Sequence, residues 1–315
     1  MADVALARRK ELLQQRGLDE IEAFKDNVVL CLDDSGRKVI YKEATQGELH
    51  VARAVDRLAK ECNDGFKLLQ LPVYDRIEVD EGYLVMPYYG TGNFRQAWME
   101  DGSGGASMGV SLAKEMAWIL IDLAGIDLDL AREYISRDIL EEISFDSVKA
   151  QEQIFRDLKI VYKKNYISIY EYSKAKRIFR DACAGSVLVL NNGDYYPSNL
   201  IKVGHKYVLV DWDTWSVSYR TNIIDSIENV IAFTYIHMWN NPKWQAAFLA
   251  ELRNSLPMTI DIDDLRKAVL SKSLLQFEFL SFHKLGEHQL RIFKNVLREF
   301  GWWKLQGGSA GVLAS

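Results

Sequence analysis

A chain of 315 residues with 48% hydrophobic and 26% charged residues is long enough for one large core or two modest ones. Its net charge of -5 offers no basic face for neutralising phosphates, which argues against a nucleic-acid partner. Cys31, Cys62 and Cys183 lie far apart without CxxC spacing, so they indicate neither a disulfide framework nor a zinc knuckle, and a reducing, cytoplasmic setting is expected.

The N-terminal stretch MADVALARRKELLQQRG reads as an amphipathic helix and lacks the apolar run and cleavage site of a signal peptide. Apolar runs such as 117–121 and 230–233 fall far short of the roughly 18 residues that suggest a membrane span. Residues 27–33 and 37–43 are strand-like and flank the turn Asp34-Ser35-Gly36, which predicts a hairpin. From Gly47 to Cys62 the apolar positions Val51, Ala52, Val55, Leu58, Ala59 and Cys62 recur at helical spacing, so a helix follows. A second hairpin, 73–79 with 83–89 around Asp80-Glu81-Gly82, closes a strand-strand-helix-strand-strand unit. Residues 102–107 (GSGGAS) read as a flexible loop, and helical patterns run from Ser111 to about Phe179. They resume from about Thr221 to Trp303, and the tail GGSAGVLAS has linker composition and is expected to be disordered. The expected division is 1–88, 89–306 and a tail, 307–315.

Between the helical stretches lies an island of three short strand-like runs, 186–190, 200–203 and 207–210. It carries Asp194, Asn199 and Asp211 at loop-strand junctions. Phosphoryl transfer needs such a set: one carboxylate to orient the attacking hydroxyl and take its proton, and an amide oxygen with a second carboxylate to hold magnesium on the phosphates. The plainer reading is that Asn-Gly-Asp and Pro-Ser-Asn are turn material and Asp211 ends a strand. Order and spacing favour the first reading, because kinases place the catalytic Asp and the metal-binding Asn five apart and the second metal Asp after the next hairpin.

The run Gly193-Asp194-Tyr195-Tyr196-Pro197-Ser198-Asn199-Leu200, followed by Val210-Asp211-Trp212, resembles the HGDxxxxN and IDW or IDF patterns of the aminoglycoside phosphotransferase and choline kinase superfamily. The resemblance implies an α+β, two-lobed protein-kinase-like fold, with a small antiparallel-sheet N-lobe and a larger helical C-lobe. It implies ATP and Mg2+ as cofactors, a small-molecule hydroxyl (aminoglycoside, choline or sugar-like) as acceptor, Asp194 as the catalytic aspartate, and Asn199 and Asp211 as magnesium ligands. Asp225 would match a structural aspartate that anchors the catalytic loop. Lys42 on a strand and Glu48 on the following helix fit the lysine-glutamate pair of such a fold; the plainer reading is an exposed strand lysine and a first-turn acid favoured by the helix dipole. Backbone groups around Met86 to Tyr88 fall where the hinge would bind adenine. Two departures stand out: Asn192 replaces the usual His, and residues 22–26 lack the glycines of a phosphate-covering loop.

The aromatic residues Trp212, Trp215, Tyr219, Trp239 and Trp244 are read as core or as a cage for a quaternary amine. Asp261, Asp263 and Asp264 either attract a polycation or begin a helix. The run from Asp211 to Asp225 is short for an activation segment, which disfavours a protein kinase. The same motifs are compatible with a kinase of a lipid-linked sugar, and the two departures with a catalytically silent pseudokinase that binds a partner.

Overall fold

The computed structural model describes residues 2–299 apart from 91, 93–105, 136, 138, 141–143, 145, 181–186, 194, 196, 213–221, 238–240, 257–259 and 281–283. The first helix, α1 (Ala2–Gln15), leads into the strands β1 (Leu18–Lys25), β2 (Val28–Asp33) and β3 (Lys38–Glu43). Helix α2 (Gln46–Cys62) follows, then β4 (Leu69–Gln70), β5 (Arg76–Glu78) and β6 (Tyr83–Pro87). Strands β1, β2, β3, β6 and β5 form, in that order, an antiparallel five-stranded sheet.

The two-residue period of a strand gives this sheet two different faces. Val29, Cys31, Val39, Tyr41, Tyr83 and Val85 point one way and pack with Leu13 of α1 and Leu18. Ile40, Lys42 and Leu84 point the other way, where Leu84 packs on Leu49 and Ala52 of α2. On α2, Val51, Ala54, Val55 and Leu58 join the large core of the rest of the chain, so this helix is wedged between the sheet and the helical body.

The helical body comprises α3 (Ala106–Ala124), α4 (Leu128–Tyr134), α5 (Ser147–Lys163), α6 (Ile169–Ile178), α7 (Ile227–His237), α8 (Pro242–Ser255), α9 (Ile262–Leu280) and α10 (Lys284–Glu299). Between α6 and α7 lie β7 (Leu188–Leu190), a 3-10 turn (Pro197–Asn199), β8 (Leu200–Val203), β9 (Lys206–Leu209) and β10 (Ile224–Ser226). Strand β4 pairs in parallel with β9, which pairs antiparallel with β8. The approach to β4 is fixed by Asp122 of α3, whose carboxylate accepts the N–H groups of Lys67, Leu68 and Leu69 at 3.1, 2.6 and 2.8 Å.

Residues 22–25, which lack the glycines of a phosphate-covering loop, form the end of β1; its burial is confined to Leu18 and the other positions are polar or solvent-facing, as befits an edge strand, so the apolar alternation is missing. Two expectations need correction. The helical stretch expected from Thr221 is preceded by β10, three residues pairing with β7, too short for periodicity to reveal. The loop expected over 102–107 gives way earlier, since Ala106 and Ser107 already open α3, while 102–105 lie outside the described residues. So does the tail, 307–315. Among the described residues no helix is long and apolar enough to cross a membrane.

Candidate active site

The start of α2 positions the first functional group. Thr45 caps the helix: its hydroxyl accepts the N–H of Glu48 at 3.3 Å, and Oε2 of Glu48 accepts the N–H of Thr45 at 2.8 Å. This capping box holds the Glu48 carboxylate with its other oxygen free to turn toward the sheet. There Oε1 meets Nζ of Lys42, at 2.9 Å. Glu48 is thus a first-turn acid and the partner of Lys42 at once.

Lys42 has a second partner from the far side of the cleft, Oδ1 of Asp211 at 2.9 Å. Burial works against the ammonium, but the carboxylates of Asp211 and Glu48 outweigh it and hold the Lys42 pKa above the ordinary lysine value. For Asp211, burial opposes ionisation and the adjacent Lys42, helped by Lys25, overcomes it, so its pKa lies below the usual carboxylate range. The Asp211 backbone has φ +62°, a left-handed conformation uncommon outside glycine, asparagine and aspartate.

Asn199 sits across the hairpin from Val210, the residue before Asp211. Leu200 is paired with Leu209, and one step further the Asn199 carbonyl accepts the N–H of Val210 at 2.9 Å. The loop before Asn199 is braced from both ends. Asn191 Nδ2 donates to the Asn222 carbonyl at 2.7 Å, its Oδ1 accepts the Gly193 N–H at 2.6 Å, and its own N–H donates to the Ile223 carbonyl at 2.8 Å. Asn192, standing where the usual motif has His, donates through Nδ2 to the Val210 carbonyl at 3.0 Å, which ties the loop to the residue preceding Asp211. Gly193 turns the chain with φ +77°, which suits a residue without Cβ. The Tyr195 hydroxyl, buried, donates to the Met116 carbonyl at 2.9 Å. Asp194 itself lies outside the described residues, between these two anchored neighbours.

Asp225 is buried and accepts from Ser226 N–H and Asn229 Nδ2, at 2.8 and 2.7 Å, and pairs with Lys272 at 3.3 Å. It fixes the β10–α7 junction, while the preceding residues Asn222 and Ile223 hold Asn191. Met86 lies on β6 opposite Ile40, on the same face as Lys42. The Tyr88 N–H donates to the Lys38 carbonyl at 3.2 Å, so that amide is engaged with β3. Of the aromatic residues, Trp212 and Trp244 are buried, and the Trp212 indole donates to the Leu209 carbonyl at 2.7 Å; Trp215, Tyr219 and Trp239 lie outside the described residues. Asp261 accepts the Asp264 N–H at 2.9 Å at the start of α9, and Asp263 and Asp264 pair with Arg266 and Lys267, the helix-start reading.

Lys42, Glu48 and Asp211 line a cleft of about 510 Å³ together with Lys25, Asn27, Val28, Glu43, Ala44 and Thr45. Lys25 and Asn27 escaped sequence reasoning, which registered only missing glycines there. The capping box in Thr45-Gln46-Gly47-Glu48 was in principle readable from its S/T-x-x-E spacing.

No family model matches the sequence, and neither does any curated protein. Solved structures do match in fold. A macrolide 2'-phosphotransferase from Brachybacterium faecium aligns with TM-score 0.57 at 14% identity, over 92% of this chain and 97% of that one. The GDP complex of aminoglycoside 2'-phosphotransferase-IIIa aligns with TM-score 0.56 at 10% identity, over 94% and 99%. The streptomycin-ATP ternary complex of APH(2")-IIa gives TM-score 0.54 at 12% identity, over 93% and 95%. The chain adopts the protein-kinase-like phosphotransferase fold. Within that fold, the cleft lined by Lys42, Glu48 and Asp211 lies between the five-stranded sheet and the island that carries Asn199.

Proposed function

We propose that this chain is an ATP-dependent phosphotransferase that phosphorylates a hydroxyl group of a small molecule in the cytoplasm. The observation that carries the reading is the Lys42 ammonium held at 2.9 Å by both Glu48 and Asp211, in a cleft that Asp211 reaches from the island carrying Asn199. In this reading the γ-phosphorus of ATP forms a bond to the acceptor oxygen as its bond to the bridging oxygen of ADP breaks. Asp194 orients the acceptor hydroxyl and takes its proton, the role given to the catalytic-loop aspartate of this chemistry. Lys42, kept charged and positioned by Glu48, steadies the phosphates. Met86 and Tyr88 belong to the segment that would meet the adenine.

Asp211 and Asn199 fit a magnesium ion by donor chemistry, since hard oxygens suit it, Lys42 engages only one Asp211 oxygen, and 38% of the Asp211 side chain is exposed. Bound there with the nucleotide, magnesium would neutralise charge on the phosphates. Without help from the ion, Asp211 also holds Lys42 from the side opposite Glu48, so it orders the cleft before any ligand enters.

The test follows ADP release from magnesium-ATP across aminoglycosides, macrolides, choline, ethanolamine and amino sugars, with Asp194→Asn as control. Acceptor-dependent turnover that disappears in Asp194→Asn while nucleotide binding survives is the expected result. Unchanged turnover in that variant would remove Asp194 from its role, and failure of the wild type to bind ATP by calorimetry would replace the enzyme reading with that of a pseudokinase.

A further inference from the structure

The protein-kinase-like fold covers its nucleotide phosphates with a glycine-rich loop, yet the corresponding residues 22–27 here are Glu, Ala, Phe, Lys, Asp and Asn. They form the end of β1 and a tight turn, with Lys25 paired to Val28 across Asp26 and Asn27. The turn is fastened to β3: the Glu43 N–H donates to the Asn27 carbonyl at 3.0 Å, and Asn27 Nδ2 donates to the Glu43 carbonyl at 3.2 Å. The roof of the cleft is therefore a short hairpin pinned at its tip, without the glycines that let a backbone close onto phosphates.

Charge in the cleft poses a second problem. Lys42 is already matched by two carboxylates, Glu48 and Asp211, so that cluster presents net negative charge to an incoming polyphosphate. Lys25 lines the same cleft and is exposed. Among the described residues no carboxylate lies within ion-pair distance of it, and it acts on Asp211 only through space. Lys25 stands opposite Val28, which is itself paired with Lys42, so its long stem shares the face of the sheet that opens on the cleft.

We propose that Lys25 is a phosphate-binding residue of the nucleotide site, its ammonium replacing the backbone contacts that a glycine-rich loop would make. The proposal rests on the function given above and adds a specificity: the site selects nucleotides by their phosphate chain through Lys25.

The experiment is calorimetric titration of ATP, ADP and adenosine, with magnesium, into wild type, Lys25→Ala, Lys25→Arg and Lys42→Ala. Lys25→Ala is expected to weaken ATP by about tenfold, the scale of one charge-assisted hydrogen bond, to weaken ADP less, and to leave adenosine unchanged. Lys25→Arg should stay within about twofold of wild type, because it keeps the charge and the reach. Lys25→Ala binding ATP as wild type does, while Lys42→Ala is impaired, would overturn the proposal and leave the proposed function standing. Equal weakening of ATP and adenosine in Lys25→Ala would also overturn it, as the sign of a displaced turn. A wild type that binds no nucleotide would overturn both.

Discussion

The two oxygens of Glu48 do different work: Oε2 closes the cap on Thr45 at 2.8 Å, and Oε1 holds Lys42 at 2.9 Å. A helix start is thereby coupled to the cleft. Glu48→Gln keeps an oxygen for the cap but removes the charge beside Lys42. It should cost about 2 kcal/mol of stability, because Glu48 is buried and the glutamine NH2 would face the Lys42 ammonium, while Lys42 retains Asp211 and so is not left without a counter-charge. On the proposed function, phosphoryl transfer should nonetheless fall at least about tenfold, since displacing Lys42 from the place proposed for the phosphates is a positioning defect. Glu48→Ala loses the cap as well and should be about 1 kcal/mol less stable again. Urea denaturation of the two variants checks this; equal stabilities would mean that the cap contributes nothing.

Asp225 and Lys272 form an ion pair at 3.3 Å with side-chain exposures of 2% and 5%. Removing one member strands the other charge away from water, which typically costs about 3–5 kcal/mol. Asp225→Ala should fall in that range, as it also abandons Ser226 N–H and Asn229 Nδ2. Lys272→Met should cost less, because those two donors continue to serve the carboxylate. The double variant Asp225→Asn with Lys272→Met should be more stable than the sum of the single losses implies, by at least about 1 kcal/mol. Additive losses in chemical denaturation would show that the pair does not act as a unit.

The parts of the site written in local chemistry were legible in the sequence. Asn199 and Asp211 stand out because their spacing spans one hairpin, and Lys42 and Glu48 because a strand pattern and a helix pattern converge on them. Strand β10 was illegible because three residues cannot display a period, and its burial is set by Lys272, which is 47 positions away. Lys25 was illegible for another reason: an edge strand with one buried residue carries no alternation, and its meaning comes from the cleft that β3, α2 and Asp211 complete. Asn192 stands out as a departure from the usual His, and the hydrogen bond that its Nδ2 donates to the Val210 carbonyl shows how the loop is braced without that His.

Helices α3 and α8 meet at a contact that tolerates nothing larger than glycine. A Cβ built on Gly109 would lie 1.9 Å from Nε1 and 2.1 Å from Cε2 of Trp244, a buried ring in the middle of the large core. Alanine would gain about 1 kcal/mol of helix propensity, but overpacking a closed core costs about 1–3 kcal/mol or more. The overlap is with a rigid indole, so the loss should win and Gly109→Ala should lower the melting temperature. Adding Trp244→Phe, which shortens the ring system, should recover part of the loss. A Gly109→Ala variant as stable as wild type would mean that the two helices can separate freely at this point.

Asp33 offers a titration whose sign is fixed by its surroundings. The Ser35 hydroxyl at 2.6 Å and the Arg37 N–H at 2.9 Å donate to its Oδ1, and the Arg37 guanidinium lies against Oδ2. The Ser35 hydroxyl, then the Arg37 amide, lower its pKa to about 2, against about 3.9 for aspartate in an unfolded chain. A group with a lowered folded pKa binds its proton more weakly folded than unfolded, so it stabilises the fold at pH values above the unfolded pKa. That contribution must fade as the pH falls through the window toward about 2. The stability difference between wild type and Asp33→Asn should therefore be constant near neutrality and shrink between roughly pH 4 and 2. A carboxyl-detected NMR titration provides the direct reading: an Asp33 midpoint at or above the ordinary aspartate value would break the link between the turn's hydrogen bonds and its acid stability.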